Sequence, residues 1–122
     1  MNLRQFLLTT VAASALAVPA LVNAGDADFT LVNKTGYSIR EVYLTPSHKS
    51  KWGSDRLGHD NLDNNRQRVF KFGDKASCMQ DLMVVFDDDA SEVVWEDLDL
   101  CKLEKVTLKY NRKTRTVSAD TE

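Results

Sequence analysis

The sequence predicts an all-β fold: a small antiparallel β-sandwich of about seven strands held by one disulfide. Short apolar and alternating runs recur from Phe29 to Ser118, separated by Gly, Pro, Asn and Asp turn signals. No stretch of the chain after Asp28 sustains the 3.6-residue apolar period of an amphipathic helix. The only two cysteines, Cys78 and Cys101, bracket two apolar runs joined by an acidic turn. That stretch reads as a hairpin stapled across its open end.

The N-terminus explains why those cysteines pair. Met1 to Arg4 is a short basic region, Phe6 to Val18 an apolar run, and Pro19 breaks it. Val22-Asn23-Ala24 then places small residues at the −3 and −1 positions of a cleavage site. The run is shorter than the ~20 apolar residues of a membrane span. Residues 1–24 are therefore expected to be a signal peptide, and 25–122 a single β-sandwich domain without a membrane span. The expected location is the periplasm or the extracellular medium. An even cysteine pair in an exported chain is most simply a structural bond, contributing ~3 kcal/mol in the chain-entropy picture. The formal charge of −2 becomes one unit more acidic when Arg4 is lost, which argues against general nucleic-acid binding.

Each strand follows from its own pattern. Phe29–Asn33 alternates, and Gly36 offers the positive φ of a tight hairpin into the next strand. Tyr37–Thr45 is the second strand. Its apolar positions Tyr37 and Ile39 fall out of phase with Val42 and Leu44, so a β-bulge near Arg40–Glu41 is expected. Pro46 ends it. Residues 46–66 lack either period and are dense in Ser, Asn, Asp and Gly, which marks a long functional or Ω-type loop anchored by Trp52 and Leu57. A short helix or edge strand fits Ser54–Leu57. Gln67–Phe72 puts Phe70 and Phe72 on one face. In the next strand Leu82, Val84 and Phe86 share a face and Met83 and Val85 the other, as in a central strand covered on both sides. Glu92–Glu96 returns from the acidic turn, with Trp95 packing on the core. Val106–Tyr110 is the sixth strand, and Thr114–Ser118 a charged edge strand with a frayed tail.

The segments N-K-T-G-Y-S-I-R-E-V-Y-L-T-P-S (33–47), W-G-S-D-R-L-G (52–58), C-M-Q-D-L (78–82) and D-L-D-L-C-K (97–102) resemble a family of small exported bacterial proteins from proteobacteria and cyanobacteria. The likeness spans nearly all of residues 25–122. It implies export and a cysteine pair but brings no established chemistry, so no catalytic residue is carried over. Some relatives bear an argininosuccinate lyase label, yet such lyases resemble long helical tetramers several times this size.

Three constellations could carry chemistry. Asp87, Asp88, Asp89 and Glu92 open an acidic run to Asp99 with no basic residue inside it. They are the candidate ligands for Ca²⁺, which takes six to eight oxygens. The run lacks the glycine-containing spacing of an EF-hand, and the simpler reading is a solvated turn. Asp60-Asn61-Leu62-Asp63-Asn64-Asn65 reads as an Asx-bonded turn or as further oxygen ligands. His48 and His59, the only histidines, lie in the long loop with Trp52 and Asp55, and these four are the candidate binding residues. No G-x-S-x-G elbow or H-E-x-x-H pair accompanies them. No catalytic residues are named. Lys105 and Lys109 line the polar face of the sixth strand, and no cofactor is implied beyond Ca²⁺. The expected function is a non-catalytic module that binds an envelope or extracellular protein or a small ligand. The alternatives are a Ca²⁺-dependent module using residues 87–99 and a small hydrolase using the 46–66 loop.

Overall fold

Burial follows the alternation of the sequence closely enough to place every strand. In the computed structural model, residues 26–122 are described, and the expected signal segment and its cleavage point fall outside them. Seven strands form among the described residues: β1 (Phe29–Asn33), β2 (Ile39–Pro46), β3 (Gln67–Phe70), β4 (Met79–Phe86), β5 (Glu92–Asp99), β6 (Lys105–Asn111) and β7 (Thr116–Thr121). They make a four-stranded sheet in the order β3-β1-β6-β7 and a three-stranded sheet in the order β2-β4-β5. All pairings are antiparallel except β1 with β6, which is parallel.

The inward residues of both sheets form one core. Phe29, Leu31, Phe70, Val106 and Leu108 from the larger sheet meet Val42, Leu44, Leu82, Val84, Phe86 and Trp95 from the smaller. The Phe29 ring lies 5.7 Å from Phe70 and 6.2 Å from Phe72, so the face shared by those two aromatics packs inward as expected. β4 is the centre of its sheet, and Met83 and Val85 on its outer face are also buried. The register of β2 against β4 shifts between Ile39 and Glu41, which is the bulge the phase break in the sequence requires.

β4 and β5 pair as a hairpin, and the Cys78–Cys101 disulfide closes its open end with Cα atoms 5.1 Å apart. The hairpin carries its own irregularity, a register shift between Gln80 and Leu82. Asp81 Oδ1 fills the gap by accepting from the Asp97 N–H at 2.9 Å and from the Ser47 hydroxyl at 2.8 Å. Asp97 has φ of 57°, the left-handed region that a G1-type bulge gives to one residue.

Three local expectations change. Gly36 has φ of 91°, but β1 and β2 are not a hairpin: the turn carries the chain from one sheet to the other. The reason is Asn33, which shares the inward parity of Phe29 and Leu31 and is wholly buried. Its Nδ2 donates to the carbonyls of Tyr37 and Leu62, each at 2.8 Å, and its Oδ1 accepts from the backbone and hydroxyl of Thr35. A buried amide with all its capacity used fixes a corner instead of a ladder. Second, no strand or helix forms at Ser54–Leu57. Third, the C-terminus does not fray. β7 runs to Thr121, and Glu122 exchanges backbone bonds with Lys105 at 3.0 and 3.1 Å.

Candidate functional site

The long loop is bound to the sandwich through much of its length. Asp55 Oδ1 accepts from the Val42 N–H at 3.0 Å and the Leu57 N–H at 2.9 Å, and the Arg56 N–H donates to the Val42 carbonyl at 2.7 Å. The W-G-S-D-R-L-G segment thus covers the free edge of β2 at its bulge. Asp55, a candidate binding residue, spends its carboxylate on backbone amides. Leu57 and Leu62 are the inward anchors of the loop. Trp52 is half-buried and does not join the core, which corrects its pairing with Leu57 as an anchor. The Asn-rich run completes the attachment. Asn64 Oδ1 accepts from the Gly36 N–H at 2.8 Å, Asp63 Oδ1 from the Ser38 hydroxyl at 2.7 Å, and Leu62 exchanges two backbone bonds with Ile39.

The histidines separate. His59 is exposed. His48, with φ of 72°, borders a cleft of about 310 Å³ with Asp81, Glu96 and Asp97, and its Nε2 lies 3.9 Å from Asp97 Oδ1. The Ser47 hydroxyl beside it donates to Asp81, so these groups are not arranged as nucleophile and base. The fold therefore does not gather Trp52, Asp55, His48 and His59 at one point.

The acidic turn meets a partner the sequence did not indicate. The Arg112 guanidinium makes a two-pronged contact with Asp88 at 2.8 and 3.1 Å and lies 3.6 Å from Asp89. It also stacks over Tyr37, 3.6 Å from the ring centroid, with Phe86 5.3 Å away. Arg112 holds the Asp88 carboxyl below its ordinary value, and Asp88 in turn raises the guanidinium. Asp89 is lowered chiefly by the Ser91 hydroxyl, which donates to its Oδ1 at 2.6 Å. Asp87 and Glu92 are exposed. Among the described residues, no three of Asp87, Asp88, Asp89 and Glu92 converge within ligating distance. The group that does is Cys78, Asp99 and Cys101, whose sulfurs are already joined. Arg112 sits in a turn, where no periodicity points to it. Its partner became visible only when the β4–β5 and β6–β7 turns met at one end of the sandwich.

On the outer face of the smaller sheet, the Tyr43 hydroxyl donates to Glu41 Oε1 at 2.6 Å. That bond, with burial and the Glu41 charge, pushes the phenol up to about 12. Tyr43 is therefore a neutral donor to a carboxylate at any physiological pH.

A further concavity lies along the seam where the edge strands β5 and β7 of the two sheets face each other without pairing. One end of the seam is closed by the Trp95 indole, which donates to the Ser118 carbonyl at 2.8 Å. Beyond it a cleft of about 590 Å³ opens, with Val93, Val94, Tyr110 and Val117 along it and Asp89, Glu92, Arg112 and Arg115 around it. Arg112 is committed to Asp88 and lies 3.6 Å from Asp89, whereas Glu92 and Arg115 have no ion-pair partner among the described residues. Val117 is an exposed large apolar side chain. A cleft of mixed polar and apolar lining with two unspent charges of opposite sign can orient a ligand without reacting with it. Compared with protein-family models, curated proteins and solved structures, the chain matches none.

Proposed function

We propose that this chain is an exported, non-catalytic binding module that takes its ligand in the β5–β7 seam. The observation that carries the reading is the seam itself: a cleft of about 590 Å³ lined by Val93, Val94, Tyr110 and Val117 and by Glu92 and Arg115, which have no ion-pair partner among the described residues. Its size falls within the ordinary range of ligand sites, ~300–1,000 Å³. Export is supported by the basic, apolar and small-residue succession before Gly25 and by a formed disulfide. No helix among the described residues is long and apolar enough to cross a membrane.

The Ca²⁺-dependent alternative gains no support, because Arg112 engages both oxygens of Asp88 and Ser91 donates to Oδ1 of Asp89. The test is amide chemical-shift mapping of the protein against a panel of short peptides and small organic acids. Shifts should cluster at residues 92–94 and 115–117. Clustering at Trp52, His48 and His59 instead would move the site to the loop. Export is tested by mass spectrometry of material secreted from the full-length gene, which should begin at Gly25.

A further inference from the structure

The seam exposes strand edges as well as side chains, and hydrogen-bond phase shows which groups face it. The Phe86 N–H donates to the Ser91 carbonyl at 3.0 Å, and the register continues through Val84 and Val93. Bonded and non-bonded pairs alternate in an antiparallel ladder. Glu92 and Val94 therefore turn their N–H and C=O groups away from β4, into the seam. On the facing strand, Lys105 and Glu122 exchange bonds, so Asp120, Ser118 and Thr116 belong to the bonded set of β6–β7. Val117 turns its backbone groups toward the seam.

The two edges of the smaller sheet are treated differently. The β2 edge is covered by the Asp55–Arg56 clamp, while the first half of β5 is left open. An uncovered edge is a template for another strand. Charge adds direction: Glu92 calls for a cation and Arg115 for an anion, and Val93 and Val117, on the inward parity of their strands, call for an apolar residue.

We propose that the ligand is an extended peptide segment of mixed charge. It would add as a strand to β5, placing an apolar residue over Val93 and Val117, an acidic residue at Arg115 and a basic one at Glu92. Recognition of this kind takes affinity from main-chain bonds and specificity from alternate side chains. This inference rests on the seam being the binding site.

The probe is a blocked peptide, acetyl-Lys-Val-Thr-Val-Glu-amide, with three controls: the same peptide N-methylated at both valines, the same residues with Lys and Glu exchanged, and free valerate. Binding is followed by shifts and by hydrogen-exchange protection of the Glu92, Val94 and Val117 amides. Strand addition predicts protection of these amides by the parent peptide, and roughly tenfold weaker binding when the amide donors are methylated. It also predicts that exchange of Lys and Glu weakens binding in the parent protein, and that this preference is inverted in Arg115→Glu with Glu92→Lys. If valerate or the methylated peptide binds the seam as well as the parent, the seam stands as a site and strand addition fails. If no probe shifts residues 92–94 or 115–117, both readings fail.

Discussion

The indole nitrogen of Trp95 donates to the carbonyl of Ser118 across 2.8 Å, joining the edge strand of one sheet to the edge strand of the other. Ser118 already belongs to the bonded set of the β6–β7 ladder, so its carbonyl uses a second lone pair for the indole. One side chain from the stapled hairpin thereby closes the sandwich on that side and defines where the open cleft begins.

Replacing Trp95 separates these two contributions. Trp95→Ala should cost about 3–5 kcal/mol, the range for removing a buried aromatic. Trp95→Phe keeps most of the packing and should cost about 1–2 kcal/mol, for the lost bond and volume. Urea unfolding reads both, and equal effects would mean that the indole bond contributes nothing.

Asp55 is expected to act through stability. It accepts two backbone bonds that would otherwise be left open at the β2 bulge. Asp55→Ala should destabilise by about 2 kcal/mol, as befits bonds to a charged acceptor. His48→Ala and His59→Ala, both at exposed positions, should stay within about 0.5 kcal/mol of the parent. A stable Asp55→Ala protein would return this carboxylate to the binding residues.

Acid should loosen the end of the sandwich held by Arg112. The Asp88 carboxyl is lowered by its bond to that guanidinium. A lowered native value stabilises the fold above the unfolded carboxyl value of about 3.9, and the gain is lost as pH falls through the native value. Asp88→Asn should therefore flatten the acid limb of stability against pH. Because Arg112 holds the carboxylate, Ca²⁺ should leave the melting temperature unchanged. A Ca²⁺-induced rise that disappears in the double variant Asp88→Asn, Asp89→Asn would restore the cation reading.

The disulfide is tested by thiol chemistry and by stability together. Alkylation of denatured, unreduced protein should label neither Cys78 nor Cys101. Replacing both by serine should cost about 3 kcal/mol, since the staple closes a loop with a sequence separation of 23. Labelling of both cysteines would remove the staple.

By itself the sequence determined the local elements. Period-2 alternation is a short-range property, so seven strands, the Arg40–Glu41 bulge and the central position of β4 could be read from neighbouring residues alone. Two cysteines allow one intramolecular pairing, so the staple was legible too. Asn33 was visible as a polar residue on an inward parity, although its meaning as a sheet-to-sheet corner was not. Tertiary structure decided the rest, because those contacts join residues far apart in the chain. The parallel pairing of β1 with β6, the clamp of Asp55 on Val42 and the grip of Arg112 on Asp88 all depend on which surfaces meet after folding. The seam belongs to the same class. A cleft between β5 and β7 exists only once two sheets, each complete in its own ladder, are packed with those edges face to face.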